Sequence, residues 1–399
     1  MADAKLFQYY ERQDVLPTFG NFKGPDDLHR YAEGRRRFFR DRLLLPPRMF
    51  RDADLLEFGP DSGENAMVFG QWGANLTLVE PNSRALGQIR KYFEQFNLAA
   101  QLKELVPADV AGFRSERQFD VIDAEGFIYT IQPTEAWLSI FASLLRPDGY
   151  GIISYYERYG GLFELTLKAI HAAVKVLSGK PSTESAELVF KAKWDSIPHT
   201  RAFASWVMDV LENPFVRIGY FLDASKLVRQ THAQGFATHS SWPTYADPLS
   251  ITWHKAETPS EVLVDRSVRH LERSRLSFAS GRKMYLAGDA AAVDQIAGGL
   301  DRLVADVDAL IDDPFGARLA PFIEGLGALA QQIQQTPIVA DDSGAVAAYC
   351  ATLALVQRIF TLIGKKDLPG ILALTASDPV FIAEWGMPTH FLVMRRRPA

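Results

Sequence analysis

The chain has 399 residues, of which 47% are hydrophobic, enough apolar material for one large or two ordinary globular domains. Charged residues make up 23%, and the formal net charge of -5 with a pI near 6.0 leaves no electrostatic footprint for a nucleic-acid backbone. A single cysteine, Cys350, excludes an intrachain disulfide framework and fits a reducing cytoplasm.

Residues 1–30 read as polar and irregular, punctuated by Pro17, Gly20, Gly24 and Pro25. Early charges without an apolar run predict no signal peptide. A helix is predicted over Tyr31–Leu45, with Phe38, Phe39, Leu43 and Leu44 toward a core and its arginines mostly outward, stopped by Pro46-Pro47. Leu55 and Leu56 then end a short apolar run that reads as a buried strand. Gly59 and Gly63 free the backbone for a tight turn, and a helix follows over about 64–73. Strand, glycine turn and helix make the first half of a nucleotide-binding βαβ unit. The turn does not fit the Gly-x-Gly-x-x-Gly of a dinucleotide site.

Glu57-Phe58-Gly59-Pro60-Asp61-Ser62-Gly63 resembles the first motif of the class I S-adenosylmethionine (SAM) methyltransferases, an acidic residue followed by Gly-x-Gly-x-Gly. Asp61 stands in place of the middle glycine, and Asp tolerates unusual turn dihedrals better than most residues. A second resemblance lies at Leu144–Ser154, which is similar to the family's Leu-Arg-Pro-Gly-Gly turn into its fifth strand. Together the matches cover 31–156. They imply an α/β fold, a Rossmann-like methyltransferase sheet with helices on both faces, and SAM as cofactor.

Leu76–Val79 reads as the second strand, and Glu80 at its carboxyl end points toward the ligand crevice of an open α/β sheet. A carboxylate there accepts hydrogen bonds from both ribose hydroxyls, each charge-assisted bond worth roughly 1.5–3 kcal/mol. Pro81 and Asn82 make the turn after it, into a helix over Ser83–Phe96. Residues 100–106 read as the third strand. The resemblance implies an adenine contact just after it, from Asp109 or from its rival Glu104, while Asp109 equally suits an ordinary helix cap. Phe119–Ile122 is similar to the family's fourth strand, and Asp123 and Glu125 stand at its active-site end, able to serve substrate or cofactor. The implied cofactor set is therefore Glu57, Gly59, Pro60, Asp61, Gly63, Glu80, Pro81, Asp109, Asp123 and Glu125.

A helix over Pro133–Leu145 and the fifth strand complete the part that matches. Residues 157–225 read as an insertion capping the substrate, with amphipathic helices over Leu162–Leu177 and Ala202–Leu211. Tyr156, His199 and Arg201 lie in or beside it among aromatic and polar residues and are the candidate catalytic groups, with His254 and His390 as further histidines. Phe236 through Pro243, followed by Leu249–His254, reads as a closing antiparallel pair. These assignments give a SAM-binding domain at 31–257 and a mostly helical region at 258–399. The latter carries an amphipathic helix from Val293 to Ile311, others near 318–335 and 344–363, and a terminal strand at Thr389–Met394 that returns to a sheet edge. The apolar stripe at 293–311 needs a partner, either the sheet or a second subunit in a homodimer. Ala345–Val356, cut off by Gln357 and Arg358, reads as a buried helix too short to span a bilayer.

No histidine or cysteine pair has metal-ligand spacing, and no Gly-x-Ser-x-Gly is present. The expected function is methyl transfer from SAM to oxygen or nitrogen of a small polar metabolite or sugar, without nucleic acid, membrane or metal. The alternative is a non-catalytic protein of the same fold whose helical region mediates assembly. A nicotinamide oxidoreductase is a distant third.

Overall fold

The computed structural model describes residues 2–13, 16–17, 22–198, 201–246 and 258–398. They form two compact units, each drawn from separated stretches. The first holds Met1–Tyr155, Ala224–Val268 and His390–Ala399, the second Tyr156–Asp223 and Arg269–Thr389. The insertion predicted at 157–225 and the helices predicted after 258 thus fall mainly in one unit.

The first unit is built on a seven-stranded sheet. Its strands are β1 (Asp54–Phe58), β2 (Asn75–Val79), β3 (Leu102–Val106), β4 (Phe119–Ala124), β5 (Leu145–Tyr156), β6 (Phe236–Trp242) and β7 (Thr389–Arg396). In space they run β3-β2-β1-β4-β5-β7-β6. The neighbours from β3 to β5 pair in parallel, while β6 and β7 pair antiparallel from Phe236↔Arg396 to Trp242↔Phe391. Leu55, Leu56, Leu76, Leu78, Val121 and Ile122 are all buried, the near-continuous apolar pattern of strands covered on both faces.

On one side β6 pairs with the C-terminal strand; Leu249–His254, expected as its antiparallel partner, lies outside the described residues. One expectation is corrected: β7 is not at an edge but sits between β5 and β6, and its buried Leu392, Val393 and Met394 suit an interior strand.

Five helices precede or link the parallel strands: α1 (Ala2–Gln13), α2 (Pro25–Asp41), α3 (Glu64–Gln71), α4 (Ser83–Gln95) and α5 (Thr134–Leu144). Residues 1–30 are therefore not irregular throughout. Leu6 of α1 is buried and Phe7 lies against Phe127, with ring centroids 5.6 Å apart. Helix α2 begins six residues before the predicted start, with Pro25 in its first turn followed by Asp26 and Asp27 facing the positive end of the helix dipole. It ends at Asp41, and Leu44 turns left-handed at φ 55° ahead of the prolines.

In the second unit, α6 (Leu162–Ser178) and α7 (Ser182–Asp195) pack with the helices Ala290–Asp312, Leu319–Gln335 and Ala345–Gly364. The apolar stripe, from Val293 through Ile296, Leu300, Leu303, Val304 and Val307 to Leu310, is buried. Its helix packs on α6 and on Leu319–Gln335, so the stripe is covered within its own chain, in part by the insertion. The Ala345–Gly364 helix matches the helix expected near 344–363, and it continues through Gln357 and Arg358, beyond the end of the apolar run at Val356. By length and mean hydropathy (1.7) it suffices to cross a membrane, and its Leu353, Val356, Ile359, Phe360 and Ile363 are buried within this unit.

Candidate cofactor site

The site grows from the turn after β1. Gly59, Asp61 and Gly63 all take left-handed backbone, at φ 63°, 49° and 95°. Asp61 thus adopts at the middle position the conformation that favours glycine. A Cβ on Gly59 would come within 2.6 Å of the Phe127 ring, so any side chain there displaces Phe127. Gly63 is held against α4, where a Cβ would stand 3.1 Å from Ile89 Cγ1. Pro60 is buried, and its carbonyl accepts from Gly63 N at 2.9 Å.

Glu80 follows the carboxyl end of β2 and is 1% exposed. One carboxylate oxygen accepts from the Asp61 amide at 3.1 Å and the other from the Asn82 amide at 2.8 Å. The carboxylate therefore braces the glycine turn. Pro81 spaces it from Asn82, whose side chain caps α4 by accepting from Arg84 N at 3.0 Å.

A second group of carboxyls stands where β1 and β4 end. Parallel register sets Glu57 beside Asp123, and Glu125 follows two residues on. Like charges so placed repel, and here both Glu57 and Asp123 are fully buried. Glu125 is compensated: Arg35 of α2 grips it with two bonds, at 2.6 and 3.2 Å, while its guanidinium lies over the Phe39 and Phe69 rings. Glu57 and Asp123 have no such partner. No donor faces either Asp123 oxygen or Oε2 of Glu57, and Asp123 lies within hydrogen-bonding range of the Glu125 carboxyl, which favours a shared proton. Burial, then the Glu125 charge, pushes the Glu57 carboxyl up to about 8, and burial with the Glu125 and Glu57 charges holds Asp123 well above the usual carboxylate range. Beside them Tyr31 OH donates to Asn65 Oδ1 at 2.6 Å, and burial pushes that phenol up to about 12.

Arg35 and Tyr31 were not singled out in the sequence, where the arginines of α2 were set mostly outward. The available signal was spacing: Tyr31, Arg35 and Phe39 recur every four residues and share one face of the helix.

Glu104, the rival for the adenine role, is exposed in the middle of β3 opposite Thr77, away from the strand's carboxyl end. Asp109 lies beyond that end, with Oδ1 accepting from Gly112 N at 2.6 Å in a local turn. Tyr156 and Arg201 belong to the second unit. The Tyr156 ring meets Phe221 edge-on at 5.2 Å, and Arg201 pairs with Asp209 at 2.6 Å. His199 and His254 lie outside the described residues. His390 is buried in the first unit, with Nδ1 2.7 Å from Tyr245 OH, and burial pushes it down to about 3, so it stays neutral. Among the described residues, no three His, Cys, Asp or Glu side chains are grouped to hold a metal ion.

The sequence pattern of a methyltransferase domain matches residues 30–241, more than half of the chain. The chain belongs to the methyltransferase-domain family. No curated protein matches it. Among solved structures this methyltransferase chain resembles the glycopeptide N-methyltransferase MtfA complexed with sinefungin, at 18% identity and TM-score 0.27, covering 32% of this chain and 54% of MtfA. It resembles the N-methyltransferase NodS from Bradyrhizobium japonicum WM9 in complex with S-adenosyl-L-homocysteine at 15% identity and TM-score 0.29, covering 38% and 74%. For TehB from Haemophilus influenzae the figures are 16%, 0.24, 26% and 36%. The likeness to MtfA thus spans about half of that chain, and to TehB about a third.

The carboxylates present suit a cofactor that carries hydroxyl donors and a positive charge: Glu80 is a buried carboxylate at the carboxyl end of β2, and the Glu57 and Asp123 oxygens are buried acceptors with no donor against them.

Proposed function

We propose that this chain is a SAM-dependent methyltransferase that methylates oxygen or nitrogen of a small polar metabolite or a sugar. The observation that carries the reading is the glycine turn with three left-handed residues, braced by Glu80, inside a domain that matches the family. The cofactor, when bound, supplies a methyl group on a sulfonium, displaced in line. The protein's work is then to hold nucleophile and methyl in alignment.

On the cofactor side, Glu57, Gly59, Pro60, Asp61, Gly63, Glu80 and Pro81 would line the methionine and ribose positions. Asp109 would take the adenine end, and Asp123 and Glu125 the sulfonium end. Arg35 would fix Glu125 through its two bonds. On the substrate side we assign Tyr156, His199 and Arg201. The described part of that unit mixes the Arg201–Asp209 pair with the aromatic cluster Trp194, Phe203 and Trp206, a composition suited to a polar, ring-bearing substrate.

The test is ligand stabilisation of the full chain. SAM at a hundredfold excess over Kd should stabilise by about 2.7 kcal/mol, and NAD should do nothing. Stabilisation by NAD and not by SAM would overturn the reading.

A further inference from the structure

We propose that SAM binding at this site expels a proton from the Glu57–Asp123 pair, so that the site increasingly prefers SAM to its demethylated product as pH rises. The inference rests on the SAM reading above and adds a proton to it.

The geometry places two carboxyls in register on adjacent parallel strands, both buried, with no donor facing three of their oxygens and the Glu125 carboxyl within hydrogen-bonding range of Asp123. The groups facing them are Glu125 just after β4, Arg35 and Tyr31 from α2, and Glu64 from α3. Glu64 adds negative charge, and Tyr31 remains a neutral phenol. Arg35 is the cation among these described groups; both its bonds go to Glu125, and its charge offsets the burial of Glu57 and Asp123 only in part. Two buried anions so close, without a cation of their own, cannot both stay ionised. In the free protein the pair therefore keeps a proton at neutral pH.

A cation arriving against those oxygens reverses the balance, because an opposite charge within a few ångströms favours the carboxylate. The O–H bond breaks, the proton passes to solvent, and the carboxylate keeps the electron pair. SAM carries one more positive charge than S-adenosylhomocysteine, at the sulfonium, so it expels more of that proton. Expulsion ties affinity to pH, and each proton released steepens binding by about tenfold per pH unit below the pair's own titration.

The experiment is isothermal titration of the full chain with SAM and with S-adenosylhomocysteine at pH 6.5, in buffers of different ionisation enthalpy. It is paired with affinities measured from pH 6 to 8. Release of close to one proton by SAM, a smaller release by S-adenosylhomocysteine, and a SAM preference that grows with pH are expected. Glu57→Gln and Asp123→Asn should each cut the release and flatten the SAM profile, which separates the pair's proton from that of the cofactor's own amine. Tight SAM binding without net proton release, or the same pH profile for both compounds, overturns the inference and leaves the methyltransferase reading standing. Binding of neither compound at any pH overturns both.

Discussion

Replacing Glu57 by glutamine should turn a pH-dependent liability of the empty protein into a pH-independent one. Unfolded, this carboxyl titrates near 4.5, and folded near 8. Each pH unit between those two values is worth about 1.4 kcal/mol, so the difference is on the order of 4–5 kcal/mol. Its sign follows from proton binding. Between the two values the folded chain keeps a proton that the unfolded chain has released. Stability from this group is therefore full below pH 4.5, falls as pH rises, and is lost above about 8. Glu57→Gln removes that titration, and the amide it introduces stands beside the unpartnered Asp123 oxygens. Urea unfolding from pH 5.5 to 8.5, with hydrogen exchange followed at the amides of β1 and β4, reads the difference. The variant should be close to wild type at the acid end and several kcal/mol more stable at the alkaline end. A gap between them that does not change with pH would refute the reasoning, because it would mean that Glu57 is already ionised in the fold.

Glu80→Ala leaves the Asp61 and Asn82 amides without their acceptor, at about 1–3 kcal/mol each, so SAM affinity should fall roughly tenfold or more by calorimetry. Gly59→Val forces a side chain into the Phe127 ring at φ 63° and should abolish SAM binding while circular dichroism stays native. Leu300→Glu combined with Val307→Glu places charges on the buried face of the Ala290–Asp312 helix and should melt the second unit without yielding a lighter folded species. A folded variant of half the wild-type mass in solution would restore the dimer explanation. Tyr156→Phe, His199→Asn or Arg201→Gln should lower turnover while SAM affinity, read separately, stays near wild type.

The parallel core was legible because its signals are local. Apolar runs, the glycine turn and the residues capping each helix lie within a dozen positions of one another, and the observed limits of β2 to β4 and α3 to α5 fall within two residues of the expected ones. The second unit was not legible as a unit. Periodicity from Val293 to Leu310 shows that a helix has one apolar face, and nothing in that spacing says which surface covers it. The answer, α6, lies more than a hundred residues upstream. The last strand failed in the same way: its β character was readable, but its place between β5 and β6 depends on pairing across most of the chain.

In the site, sequence named the residues but not their company. Glu57 was legible as the acidic residue of the first motif, and Asp123 and Glu125 as carboxyls at the end of the fourth strand. That β1 and β4 are neighbours, and that register sets Glu57 against Asp123, is a property of the sheet. The same neighbourhood explains why Arg35 turns inward while the arginines beside it do not. It alone shares the face of α2 that meets Glu125 and the Phe39 and Phe69 rings, and its ion pair neutralises one carboxylate of three. A fold that wanted only stability would replace the other two, since unpartnered buried carboxyls cost free energy that apolar residues of similar size would not. Two such carboxyls beside the glycine turn are what the cation-binding site proposed above would use.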